Sequence, residues 1–233
     1  MKLDLNVQYP GKDLLEKLEC AKNYNDFIHR FLAKYSKECQ IILDYGAGTG
    51  YFAQRNRNIG KKVTCLEIDQ TFCERLEREK FEVIKHLSLK NHFDFVYSLN
   101  VLEHIENDQE ILKVIWDSLK DRGGLFLYLP AFPMLFCSMD KKVNHLRRYN
   151  RKNLSKLVKD QGFEICVCRY ADSLGFFITL LYKILGSKTG EISKKQILIY
   201  DKVVFPISKA MDMIVNRFFG KNIILYAKKI QSL

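Results

Sequence analysis

Three glycines at alternate positions follow a short apolar run that ends in an acid: Ile41, Ile42, Leu43, Asp44, Tyr45, Gly46, Ala47, Gly48, Thr49, Gly50. No other stretch constrains the fold as strongly. The apolar run has the character of a buried strand, and Tyr51 onward reads as a helix start. Glycines between the two let the backbone bend sharply and let a ligand approach without meeting a side chain. Such a turn offers backbone N–H groups to a polar ligand at a helix N-terminus. A dinucleotide fingerprint, G-x-G-x-x-G, fits Gly46 and Gly48 but meets Tyr51 where its third glycine belongs. A Walker loop requires Gly-Lys-Ser/Thr, and none follows.

A second anchor lies downstream. Residues Lys61 to Asp69 read as a strand that ends in acids. Glu67 stands about twenty residues beyond the glycine turn, the offset at which a carboxylate reaches the hydroxyls of a ribose. One carboxylate has enough lone pairs for two such bonds. Asp69 is placed instead to cap the helix that follows.

Strand-like and helical runs alternate along the chain. The patterns predict strands near 40–44, 62–67, 81–85, 93–98, 124–130, 163–170 and 222–229. They predict helices near 12–36, 50–58, 70–80, 107–120 and 151–160, the last capped by Asn150 and closed by Gly162. The Asp121 to Gly124 segment is expected to end a helix before the Leu125 to Leu129 strand. This alternation gives an α/β fold: a doubly wound, mostly parallel seven-stranded sheet with a helical insertion before the last strand. The expected organisation is one domain over 1–233, with a helical segment at 1–38 and a helical flap at 172–220.

The flap is unusual in composition. Residues 174–185 are apolar almost all round, yet too short to span a bilayer. After a polar loop, Ile197, Tyr200, Val204, Ile207, Met211, Ile214 and Phe218 recur at helical spacing. Asp201, Ser208, Asp212 and Asn216 line the opposite side, and Pro206 should kink or interrupt the helix. The simpler expectation is a helix pair packed over the sheet and cleft. The sharper one is a greasy, basic flap that meets a membrane or a lipid-linked substrate.

Charge points the same way. Residues 141–233 carry 19 Lys+Arg against 6 Asp+Glu, a balance of +13, whereas the whole chain stands at +11. All the excess therefore sits in the last part, which suits an anionic partner. The amino terminus has no apolar signal region, and seven cysteines are dispersed without a C-x-x-C pair. Both features are those of a cytoplasmic protein with reduced thiols, and no metal site is read from the cysteines.

The D-x-G-x-G-x-G turn resembles the first motif of the class I S-adenosylmethionine-dependent methyltransferases. Asn100, Val101, Leu102, Glu103, His104 and Ile105 resemble their segment after the fourth strand. The His145 to Tyr149 stretch, H-x-R-R-Y, is similar to an element of one bacterial subgroup, as are residues 170–176 and 220–227. The resemblance implies that S-adenosyl-L-methionine is the cofactor. It places Asp44, Gly46, Ala47, Gly48, Gly50, Glu67 and Ile68 around the adenosyl part, with Asn100 and Leu102 near the methionine end. Many relatives have an acid near the end of the third strand for adenine. Here Val83 to Leu89 contain none, which leaves Ser88 or a backbone group.

A sulfonium methyl is already electrophilic, so the protein's task is positioning and exclusion of water. A base is needed only where the acceptor carries a proton at neutral pH. His104 is one candidate, and His145 with Tyr149 a second pair, sharing a face if the segment is helical. Arg147 and Arg148 offer forked donors for an anionic acceptor. His29, His86 and His92 show no ligand spacing. The expected activity is methyl transfer to a small-molecule, anionic or lipid-linked acceptor. The alternatives are an RNA methyltransferase and a non-catalytic S-adenosylmethionine-binding module. The first lacks the proline pair common in base-nitrogen enzymes, since Ser98 to Val101 contain no proline, and nucleic acid is the less favoured partner. A dinucleotide oxidoreductase is disfavoured by Tyr51.

Overall fold

The computed structural model describes residues 9–186 and 188–230. The first eight residues of the expected N-terminal helical segment lie outside this range. Seven strands form one sheet: β1 (Ile41–Tyr45), β2 (Lys62–Leu66), β3 (Glu82–Ile84), β4 (Phe93–Leu99), β5 (Leu119–Pro130), β6 (Phe163–Ala171) and β7 (Asn222–Lys229). Their spatial order is β3-β2-β1-β4-β5-β7-β6. The pairs among β1 to β5 are parallel, and β7 runs antiparallel between β5 and β6.

Alternation along each strand sends side chains to two separate cores. Leu43, Val96, Leu125 and Leu127 join one cluster with Leu112, Ile115, Leu154 and Val158. Ile42, Phe95, Tyr97, Phe126 and Tyr128 join the other with Phe27, Leu32, Ala53 and Leu76. Helices α5 (Asp108–Ser118) and α7 (Arg151–Asp160) therefore cover one face. Helices α2 (Lys22–Tyr35), α3 (Tyr51–Asn58) and α4 (Gln70–Arg78) cover the other. Both faces are sealed, which is why the strands read as continuous apolar runs. The chain runs outward from β1 to β2 and β3, then returns to β4 on the other side of β1. The strand order reverses there, and in open α/β sheets ligands bind outside the carboxyl ends of the strands at such a point.

Local caps fall where the sequence puts them. Asp69 accepts from the N–H groups of Thr71 and Phe72, and Asn150 accepts from that of Asn153. Gly162 takes the left-handed φ of +86° after α7.

Three expectations change. The helix expected over 12–36 is two: α1 (Lys12–Leu18) and α2. The break comes because Asp201, far along the chain, accepts from the N–H groups of Asn23 and Tyr24 and so starts α2 there. α5 stops at Ser118, and β5 begins at Leu119, with a register irregularity between Phe93 and Phe95. Arg122, at φ +62°, turns the irregular part of the strand. Pro206 does not interrupt its helix. A π-helical stretch, Tyr200–Val204, joins α9 (Lys194–Ile199) to α10 (Phe205–Val215). A wider turn before a proline relieves the ring's clash with the preceding carbonyl.

The structure also decides which side of the flap faces inward. Asp201, Ser208 and Asp212 are buried, while Ile207, Met213, Ile214 and Phe218 are exposed. The acids turn in because they serve as caps. Asp212 accepts from the N–H groups of Asp172 and Ser173 at the start of α8 (Ser173–Leu185), at 2.7 and 2.9 Å. Among the described residues, no helix is long and apolar enough to cross a membrane.

Candidate active site

The glycine turn is shaped by its neighbours. Gly46, Gly48 and Gly50 have φ of +84°, +53° and +79°. A Cβ on Gly46 would stand 2.4 Å from Val101 Cγ2, one on Gly48 would stand 2.6 Å from Leu15 Cδ2, and one on Gly50 would stand 2.7 Å from Leu76 Cδ2. Side chains are thus excluded on both conformational and steric grounds. The Gly46 and Ala47 N–H groups both donate to Leu66 O, tying the turn to β2. Glu67 adds a second tie. Its Oε2 accepts from Gly48 N at 2.6 Å, and its Oε1 accepts from Ile68 N and Asp69 N. Burial pushes the Glu67 carboxyl up, and those three N–H donors pull against the shift.

Asp44 faces the other way. It is buried, with Oδ2 accepting from the Tyr97 hydroxyl at 2.7 Å, and burial raises its pKa to about 7. Asn100, at φ +53°, donates its N–H to Tyr128 O, which turns the chain out of β4. Leu102 is fully buried beneath that turn.

His104 and His145 meet with ring centroids 4.7 Å apart. His104 Nδ1 lies 3.3 Å from Asn144 O. Burial, with His145 nearby, lowers the His104 pKa to about 4, so its ring is neutral at neutral pH. His145 Nδ1 lies 2.7 Å from Asp140 Oδ1, and its Nε2 lies 3.6 Å from Glu103 Oε1.

Tyr149 is not part of this group. Residues 143–150 are not helical, so His145 and Tyr149 share no helical face. The Tyr149 hydroxyl instead donates to Asp108 Oδ2 at 3.0 Å and lies 3.2 Å from Leu102 O. Burial and the Asp108 carboxylate push its pKa well up, which leaves it unsuited to act as a base. Arg148 is also committed elsewhere. Its guanidinium is buried and gives Nε and Nη2 to the two oxygens of Asp140 at 2.9 and 3.0 Å. Arg147 is half-exposed and donates to Asp108 Oδ2 and Glu106 O. Both guanidinium groups already meet carboxylates, Arg148 that of Asp140 eight residues before it and Arg147 that of Asp108 in a remote segment.

Three residues at the site were not singled out from the sequence. Glu103 is fully buried, neither carboxylate oxygen has a hydrogen-bond partner in another described residue, and burial raises its pKa to about 8. Asp140 is pulled well below the carboxylate range by His145 and Arg148, against the effect of its burial. Tyr9 sets its ring edge-on to His104 at 5.5 Å, and its N–H donates to Asp69 Oδ2. With Lys12 bridging to Asp69 at 2.9 Å, the start of α1 closes over the glycine turn. Glu103 was visible inside the N-V-L-E-H-I segment, but nothing local signalled its burial.

The sequence model of a family described as a methyltransferase domain matches residues 15–167. The chain belongs to this methyltransferase family. It is an S-adenosylmethionine-dependent methyltransferase, and S-adenosyl-L-methionine is its cofactor. Several solved structures share the fold of the methyltransferase. One is a SAM-dependent methyltransferase from Archaeoglobus fulgidus, 19% identical, with TM-score 0.59 over 88% of this chain and 94% of that one. Another is the [4+2]-cyclase SpnF, 17% identical, with TM-score 0.57 over 89% and 81%. A third is Haemonchus contortus phosphoethanolamine N-methyltransferase 2 in complex with S-adenosyl-L-methionine, 21% identical, with TM-score 0.54 over 82% of this chain and 49% of that one. No curated protein matches the methyltransferase by sequence.

Proposed function

We propose that this methyltransferase modifies a small, lipid-linked acceptor while resting on an anionic lipid surface. The observation that carries the reading is the outward apolar face of the flap. Phe177, Leu181, Ile184 and Leu185 of α8 are exposed, together with Ile207, Met213, Ile214 and Phe218 of the α10 region. A soluble surface seldom leaves so many large apolar side chains together unless they meet something. Lys183, Lys202, Lys209 and Arg217 belong to the same elements, and basic side chains beside an apolar face favour anionic headgroups.

The flap also borders the reaction cleft. Phe176 packs edge-on to Phe132 at 5.2 Å, and Lys183 donates to Met134 O. The loop after α8 meets α6 (Ser138–Lys142), the helix that carries Asp140, through the Lys142–Glu191 pair at 3.1 Å. A molecule held on the flap therefore has a short path to His145.

In this reading the glycine turn and Glu67 hold the adenosyl part of the cofactor, and Asn100 and Leu102 border its methionine end. The fit rests on the turn, whose three left-handed glycines bend the chain sharply at the carboxyl end of β1, with Glu67 at the end of the neighbouring strand. The cofactor supplies an electrophilic methyl group. The protein holds the acceptor in line and keeps water out beneath Tyr9 and α1.

Two measurements test this. Flotation with acidic vesicles should retain the enzyme and weaken as salt rises. Incubation of cell extract with labelled cofactor should move label into the organic-soluble fraction. Retention on neutral vesicles alone, or label appearing only in RNA, would overturn the reading.

A further inference from the structure

We propose that Glu103, His104 and His145 form a binding site for a divalent transition-metal cation. A carboxylate oxygen of Glu103 and one nitrogen from each ring lie within 4.8 Å of one another. The three come from two segments that are distant in sequence. Leu146 N donates to Glu103 O at 2.8 Å and brings them side by side.

The independent sign is Glu103 itself. Its side chain is fully buried and directed at His145, and both oxygens lack a hydrogen-bond partner among the described residues. Burying a carboxyl group without donors is costly unless something pairs with it. His145 Nε2 lies 3.6 Å from Glu103 Oε1.

The surroundings orient the two rings as ligands. His145 Nδ1 is held by Asp140 Oδ1 at 2.7 Å, which leaves Nε2 facing Glu103. His104 Nδ1 is held by Asn144 O at 3.3 Å, which leaves its Nε2 free. Metal-bound histidines show this arrangement: the outer nitrogen bonds a carboxylate or carbonyl and fixes the ring. Asp140 is fixed in turn by the two-pronged contact from Arg148. That guanidinium is turned to Asp140, so its charge is balanced there.

The donor set selects the cation. Two imidazoles and one carboxylate suit zinc, iron, cobalt or nickel better than magnesium or calcium, which take mostly oxygen. A cation at about 2.0–2.2 Å from each ligand would draw the three atoms together to roughly 3–3.6 Å. The Glu103–His145 pair already stands at that separation. Three protein ligands leave coordination positions open, as in sites that handle a substrate rather than a purely structural ion. The site does not depend on the lipid reading, because it stands on the geometry of the cleft alone.

The test uses the full chain, stripped with a chelator and dialysed. Cobalt(II) is added as the probe, and its visible absorption is followed alongside calorimetry with zinc. Wild type should take up one equivalent with imidazole-type spectra. His145→Ala and His104→Ala should each weaken binding by about 100-fold or more, and Asp140→Asn by about 10- to 100-fold. Calorimetry with S-adenosylhomocysteine on the stripped protein reports separately whether the cofactor cleft is sound. Seven free cysteines offer competing sites. Wild type and both histidine variants binding cobalt alike would therefore assign the signal to thiols and overturn the proposal. So would no cobalt uptake by folded wild type. Anomalous diffraction from zinc-soaked wild-type crystals needs no variant. A peak bonded to both rings supports the site, and a clean map at that position rejects it.

Discussion

Gly48 N donates to Glu67 Oε2 at 2.6 Å, so the acid at the end of β2 holds the glycine turn at the end of β1. Two parallel neighbours are thereby locked at the mouth of the cleft. Glu67 is both a candidate ribose ligand and a brace for the loop.

Glu67→Ala should therefore lose about 2–4 kcal/mol of S-adenosylmethionine affinity, on the scale of charge-assisted hydrogen bonds. Titration calorimetry reads this directly. Glu67→Gln should lose less, because one amide oxygen still accepts from the turn. Wild-type affinity in the alanine variant would mean that another acid does the work.

Asp44 gives a pH signature. Burial raises its pKa from the ordinary 3.8 to about 7. A raised carboxyl is protonated in the fold while the unfolded chain has already ionised, so its contribution is complete below about pH 4. It then fades as pH rises through about 7. Thermal melting should show wild type losing stability over that window. Asp44→Asn, which keeps a neutral partner for Tyr97, should flatten the slope.

The buried pair of Arg148 and Asp140 should behave as structure. Arg148→Ala leaves the buried Asp140 carboxylate with only His145 and the Cys137 N–H as partners and should cost about 3 kcal/mol. Arg147→Ala, at a half-exposed pair with Asp108, should cost no more than about 1 kcal/mol. Denaturant unfolding of the two variants separates these outcomes.

Asp201→Ala should destabilise by about 1–2 kcal/mol, the usual loss for a helix cap. The cap acts on α2 across 178 residues of sequence. Loss of α2 protection in hydrogen exchange, with the sheet unaffected, would identify the mechanism.

Met213→Glu and Ile214→Glu test the outward face. Both side chains are about 80% exposed, so melting temperature should stay near wild type. Vesicle flotation should fall for each variant. Unchanged flotation would remove these residues from the contact.

The sequence alone specified whatever depends on neighbours along the chain. The Asp69 and Asn150 caps reach two or three residues ahead, and the glycine turn is a local conformational demand. Strand positions followed from short apolar runs, because a doubly covered parallel sheet buries both faces of each strand. The tertiary structure decided every contact between remote segments. Asp201, which faces α2, and Asp212, which faces the start of α8, look like surface acids in isolation. Only the packing of the flap against the rest of the fold brings donors to them. The same packing turned Asp201 and Asp212 inward and left Ile207, Met213 and Ile214 outward, because an unfilled helix N-terminus in the interior costs more than exposed hydrocarbon at the surface.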